Sequence, residues 1–221
     1  MEKPIVIFGS GGLGREVLQL IRDINALQPT WTCLGFLVDS RFASQSIVQG
    51  IPVLGGIEWL DANADVAVVV AIGSSAERLR ITNRIRSRCQ NSFATLVHPL
   101  AWIGENVVIG DGSIICAGAL ITTDIKIHEH VQVNIGSTIG HDAVLGDFVS
   151  LNPSVNVSGS VTLMEGVEIG TGSVIIPGCV VGEWSIVGAG SVVTKRIKEN
   201  STAVGAPARV IKERSCGWQT G

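Results

Sequence analysis

Starting at Val97 and stepping by six, the chain places Ile, Val or Leu at seventeen successive positions through Val193, with no insertion. The fifth residue of each hexad is confined too. Ala101, Ser113, Ala143, Val149 and Ser191 are representative, and nothing larger than Ile occurs there. Glycine takes the second position at Gly104, Gly110, Gly140, Gly146, Gly170, Gly182 and Gly188. A period of six is neither helical nor the simple alternation of a hairpin strand, and a fixed period signals a repeat fold. It fits a short flat strand plus a turn, three to a triangular coil of about 18 residues. First-position aliphatics fill the inside, and small fifth-position residues sit where space is tight. Coils stack at roughly the 4.8 Å strand spacing, and each needs the next to bury its core. Residues 97–198 make between five and six coils.

The preceding residues read as a small α/β unit. Ile5–Phe8 is an apolar strand that runs into Gly9-Ser10-Gly11-Gly12-Leu13-Gly14, a G-x-G-x-x-G loop. A helical stripe follows, with Val17, Leu18, Leu20, Ile21 and Ile24 on one side. Strand, glycine loop and helix together are the context in which such a loop binds phosphate, because backbone N–H groups and the helix N-terminus favour an anion. A plain tight turn is the alternative. A second strand, Cys33–Val38, ends at Asp39, where an acid can accept hydrogen bonds from a ribose or base. A third, Asp65–Ile72, enters Gly73-Ser74-Ser75, and Phe93–Val97 is expected as the last strand. Between them, a helix carries Arg78, Arg80, Arg84, Arg86 and Arg88, expected for the most part to be a solvated face. The unit holds one mononucleotide-binding half, and the hexads leave no place for a second, which disfavours a NAD-dependent oxidoreductase.

Composition narrows the function classes. With 16 Lys+Arg against 19 Asp+Glu, the chain lacks the basic excess of a nucleic-acid or anionic-membrane binder. Mean hydropathy is +0.42, yet the longest clean apolar run, Val66–Ile72, is far shorter than the roughly 20 residues a spanning helix needs. No signal peptide is read at the start. Five scattered cysteines without metal or redox spacing point to a reducing, cytoplasmic setting. The 27 glycines among many β-branched residues suit turn-punctuated β structure.

The hexad array, the glycine-loop domain, the junction Leu96-Val97-His98-Pro99, the run from Ser137 to Phe148 and the closing Gly205–Arg209 together resemble a known family. It is the sugar O-/N-acyltransferases of the hexapeptide-repeat, left-handed parallel β-helix class. The class includes bacillosamine-pathway and perosamine N-acetyltransferases and sialic-acid O-acetyltransferase-like proteins. The resemblance implies a Rossmann-like nucleotide-sugar-binding domain over 1–96, a left-handed β-helix over 97–198 and a closing segment over 199–221. That hand is opposite to the general crossover rule. It further implies a homotrimer with sites between neighbouring prisms, acetyl-CoA as donor and no metal. Under it, His141 is the catalytic base and Asp142 its supporting acid. Gly11, Gly12, Asp39, Gly73 and Asn134 contact the acceptor, and Leu13 stands where several amino-sugar enzymes have a His. Ser150, Thr171 and Ala189 contact acetyl-CoA, with Gly188 leaving room beside them; Ser150 stands where some members have a second His.

From the residues alone, His141 occupies the third position of its hexad and should point outward from a turn. An imidazole there can take a proton from an amine attacking a thioester, which requires no covalent cysteine; Cys116 and Cys179 are expected to pack. His98 is expected to be structural, and His128 and His130, on one coil without a third ligand, are not expected to bind metal. Lys195, Arg196, Arg209 and Lys212 either meet CoA phosphates or are solvated. Three functions stay open: acetylation of the amine of a nucleotide-linked amino-deoxy sugar, O-acetylation of a sialic acid or related hydroxyl, and a non-enzymatic trimeric scaffold. The scaffold gives no reason for a His–acid pair in a turn.

Overall fold

The computed structural model describes residues 2–39 and 45–220. Strand β1 (Lys3–Phe8) leads into helix α1 (Gly12–Leu27), then β2 (Trp31–Leu37), β3 (Ile47–Val48), β4 (Ile51–Gly55), a 3-10 segment (Ile57–Ala62), β5 (Ala67–Val70) and helix α2 (Ser75–Arg88). The sheet order is β3-β4-β2-β1-β5, parallel except for the β3–β4 hairpin. Alternation along β1 builds the three layers. Ile5 and Ile7 pack with Val17, Leu18 and Ile21 of α1, while Val6 and Phe8 pack with Ile81 and Ile85 of α2. The hairpin was not anticipated; its two-residue turn, Gln49-Gly50, has both φ values positive, and Gln is an uncommon first residue there.

The expected last strand over 93–97 is corrected. Phe93 forms only an isolated bridge to Val68, and the next strand, β6 (Leu96–Val97), pairs instead with β9 (Ile114–Ile115). Leu96 is buried in the α1 cluster, whereas Val97 packs on the second core. The chain passes from one core to the other across that single dipeptide.

From Leu96 to Val193 each strand is two residues long, and the strands up to Val174–Ile175 pair in parallel with the one 18 residues later, as Leu120↔Thr138 and Ile121↔Ile139 do. The ladders form three faces, of eight, six and five strands, around one core: a left-handed parallel β-helix. First-position residues such as Ile121, Ile139 and Val187 are fully buried, as are fifth-position Ala143 and Val149. Fifth-position serines are equally buried but satisfied: Ser113 Oγ donates to His128 O (3.0 Å) and Ser173 Oγ to Gly188 O (2.9 Å). A hydroxyl at this position therefore ties a turn instead of stranding a polar group. The face of eight ends in β23 (Ser201–Val204) and an antiparallel β24 (Arg209–Glu213). The tail then returns to α2, where Trp218 packs near Ala76 and Leu79 and Arg80 donates to Gln219 O (3.0 Å).

The N-terminal unit docks on that same face, along its outward-pointing row Leu96, Ile114, Gln132, Ser150 and Glu168. The apolar end of the row lies with α1; the polar end meets α2 and the loop before it. Arg78 is the exception to the expected solvated arginine face. It is completely buried, and it donates to His130 O (3.0 Å), Ile72 O (2.8 Å) and Phe148 O (2.7 Å) and to Ser150 Oγ (2.9 Å). Burial pulls its guanidinium down to about 9, against a raising effect from Glu168, so it stays charged at neutral pH. Among the described residues no helix is long and apolar enough to cross a membrane.

Candidate active site

The glycine loop caps a cleft of about 620 Å³ at the carboxyl ends of β1 and β2, lined also by Val38, Asp39, Ile72, Arg80 and Ile81. The glycines differ in what they permit. A Cβ on Gly14 would lie 2.0 Å from Gly9 O, and one on Gly9, whose φ is +109°, would lie 2.8 Å from Ala71 O. Those two make the turn and its packing. Gly11 and Gly12 face open space, and α1 begins there with no side-chain cap, so its first N–H groups are available to an anion. The start of α2 is taken: Ser74 Oγ accepts from Glu77 N–H, and the Glu168 carboxylate accepts from Ser75 N–H at 2.6 Å.

Asp39 lies in the cleft wall, where Arg84 grips it with two hydrogen bonds of 2.8 and 3.0 Å. The Asp39 hydrogen bond raises the Arg84 guanidinium above its usual range. The remaining arginines of α2 are also engaged, Arg80 with Glu77, Arg86 with Glu129 and Arg88 with Asp61. They do not form a phosphate-binding array.

On the β-helix, His141 and Asp142 occupy the turn between β13 (Thr138–Ile139) and β14 (Val144–Leu145). His141 is 64 % exposed, and its Nδ1 lies 2.7 Å from Asp142 Oδ2. A carboxylate accepts only, so the proton of this hydrogen bond sits on Nδ1. The ring lies over Gly159, 18 residues on, where a Cβ would meet Nε2 at 2.6 Å. Gly159 was not singled out from the sequence, although the repeat length alone places it beneath His141. Gly159→Ala should push the exposed ring off Asp142 instead of unfolding the coil. Nitrogen-15 spectra of the imidazole would register the altered tautomer balance; unchanged spectra would mean that the ring has room.

Asn134, Thr171, Gly188 and Ala189 lie along a different edge of the prism, in turns entering the strands of the face that carries β13. Thr171 and Ala189 are 18 residues apart, exposed and stacked. Ser150 is not with them. Expected toward the donor, it is buried under α2, its hydroxyl 3.0 Å from Ser75 Oγ and 2.9 Å from Arg78. Leu13 lines a smaller apolar cavity of about 270 Å³ between α1 and the first coils, with Leu20, His98, Cys116 and Ile135. His98 is fixed there by Leu100 N–H at Nδ1 (2.9 Å) and by Asp23 at Nε2 (3.0 Å).

The cysteines in the β-helix are poor nucleophiles: burial pushes the Cys116 thiol up to about 12 and raises Cys179 as well. His130 is fully buried, stacked on Phe148 and edged by Phe93, and burial drives it down to about 3. It is a neutral packing residue. His141 is therefore the exposed imidazole with an acid partner at hydrogen-bond distance. It lies at the corner opposite the face on which the N-terminal unit docks. A single chain does not bring the base to the glycine-loop cleft.

Comparison with known proteins follows the same division. Residues 4–85 match the family described as PglD N-terminal domain, and residues 160–195 match bacterial transferase hexapeptide (six repeats). The chain is 36 % identical over 126 residues to the UDP-N-acetylbacillosamine N-acetyltransferase of Bacillus subtilis (strain 168); the match spans 52 % of each protein, about half of the relative's length. Among solved structures it resembles PerB of Caulobacter crescentus in complex with CoA and GDP-perosamine (28 % identity, 95 % of this chain and 97 % of that one, TM-score 0.85). It likewise resembles WeeI of Acinetobacter baumannii AYE (31 % identity, 95 % and 100 %, TM-score 0.84).

Proposed function

We propose, from the premise that this chain belongs to the hexapeptide-repeat acyltransferase superfamily and is related to its nucleotide-sugar N-acetyltransferases, that it acetylates the amine of a nucleotide-linked amino-deoxy sugar with acetyl-CoA as donor. The observation that carries this reading is the exposed His141 ring, held at Nδ1 by Asp142. The acceptor ammonium must lose a proton before nitrogen can attack the thioester carbonyl, and Nε2 is positioned to take it. The Asp142 carboxylate fixes the tautomer and stabilises the imidazolium as it forms. Attack leaves one surplus proton on nitrogen, which passes to solvent, and collapse of the tetrahedral intermediate releases CoA thiolate, which the imidazolium can reprotonate. The Gly11–Gly12 loop and Asp39 supply the nucleotide end of the acceptor; the exposed Thr171 and Ala189 mark an edge for the pantetheine arm, while Gly188 is backed by Val204, 2.8 Å from where its Cβ would lie.

The reading includes a homotrimer in a cytoplasmic setting. Its support is geometric: the glycine-loop cleft and His141 lie on opposite sides of one prism, and the face between them exposes Trp102 (57 %) and Leu120 (46 %). A neighbouring copy seated on that apolar face would bring its His141 to this chain's cleft. The test is CoA release against UDP-, dTDP- and GDP-linked 4-amino sugars, with free sialic acid as the hydroxyl control. It is joined to a mixing experiment. His141→Ala and Asp39→Ala chains, each inactive alone, should regain part of the activity when unfolded and reassembled together. No recovery, or sedimentation as a monomer, would defeat the shared-site arrangement.

A further inference from the structure

Ile72 lines the cleft at the start of the loop Ile72-Gly73-Ser74, and half of the side-chain hydrogen bonds to the loop's carbonyls come from the β-helix. Ile72 O accepts from Gln132 Nε2 (3.0 Å) and from Arg78 Nη1 (2.8 Å); Gly73 O accepts from Arg78 Nη1 (3.2 Å) and from Ser150 Oγ (3.3 Å). Gln132 and Ser150 belong to β12 (Gln132–Val133) and β15 (Ser150–Leu151) of the β-helix. In a trans peptide the carbonyl and the following N–H point in opposite directions. Drawing both carbonyls toward the β-helix therefore turns the N–H groups of Gly73 and Ser74 away from it. Both residues are exposed, and neither N–H has a hydrogen-bond partner among the described residues. Gly73 has open space where a side chain would project. Across the cleft stand Gly11 and the uncapped start of α1.

Resting on the nucleotide-sugar reading above, we infer that Gln132, with Arg78 and Ser150, is a positioning residue of the acceptor site: it holds the Ile72–Ser74 loop so that two backbone N–H groups are presented to the diphosphate of a nucleoside diphosphate. The side chain touches no ligand; it acts through the peptide it holds. Ser150 thereby has a role on the acceptor side, not the donor side. Because Gln132 and Ser150 sit on the β-helix and Arg78 is itself tied to its carbonyls at His130 and Phe148, the nucleotide site is complete only when the two units are docked.

Gln132→Leu removes the amide donor while keeping most of the volume, and Arg78 and Ser150 remain to keep the unit docked. The full-length protein would be titrated with UDP, GDP and dTDP, and separately with CoA, and its thermal midpoint recorded. For whichever nucleotide the wild type binds, Gln132→Leu should weaken binding about five- to tenfold, the effect of misdirecting one or two hydrogen bonds. CoA affinity should stay within about twofold and the midpoint should hold. Unchanged nucleotide affinity in the folded variant would overturn the inference and leave the functional reading intact. Equal weakening of both ligands, or a collapsed midpoint, would overturn it in favour of a purely structural Gln132. A wild type that binds none of the three nucleotides would overturn the functional reading, and the inference with it.

Discussion

Arg78→Met should cost about 3 to 5 kcal/mol, the range for removing one side of a buried, hydrogen-bonded charge, and the N-terminal unit should come loose before the β-helix unravels. Methionine fills much of the arginine volume but leaves His130 O and Phe148 O without the guanidinium that now reaches them, while Ile72 O keeps Gln132 Nε2. Each buried carbonyl left unpaired carries its own penalty of about 1–3 kcal/mol. The β-helix keeps its ladders and its core, which Arg78 does not enter. Urea unfolding should therefore separate into two transitions, the first taking α2 and the central sheet, the second the coils. Tryptophan fluorescence would follow the first through Trp31 and Trp59, and far-ultraviolet circular dichroism the second. A single transition at the wild-type midpoint would mean that water replaces the guanidinium without cost and that Arg78 is no clamp.

The hexad period made the larger half of the molecule legible because its core is local. Each first-position residue meets residues 18 away, so one number fixes the strands, the turns and the inward row. The glycine loop and its flanking elements were legible for the same reason. Arg78 was not: a polar residue on a helix reads as solvated until something lands on it, and its β-helix partners lie 52 to 72 residues away. The burial of Ser150 was hidden in the same way. The outward position of a two-residue strand reads as surface, and only the docking of α2 turns that row into an interior. His141 was readable because it answers to the repeat and to its neighbour Asp142, with no dependence on tertiary contact. The acceptor-loop geometry was hidden because it depends on side chains from both units at once.

His141→Ala should lower kcat by roughly 10²- to 10⁴-fold, the range for a positioned acid–base group. The fold should hardly notice, since the side chain is 64 % exposed and joined to the protein mainly through Asp142. Substrate affinities should move little, because proton transfer matters in the transition state more than in the ground state. Asp142→Asn should cost less than His141→Ala: it leaves the base in place but removes the charge that favours the imidazolium. The defect should also depend on pH in a way that identifies the nucleophile. An amine acceptor loses its proton to solvent as pH rises, so the base has less to do, and the ratio of wild-type to His141→Ala rates should shrink from neutral to alkaline pH. A sugar hydroxyl stays protonated across that range, and the ratio would persist. A shrinking ratio therefore supports amine acetylation, a constant one assigns the enzyme to hydroxyls, and near-normal turnover of His141→Ala at neutral pH would remove His141 from the mechanism.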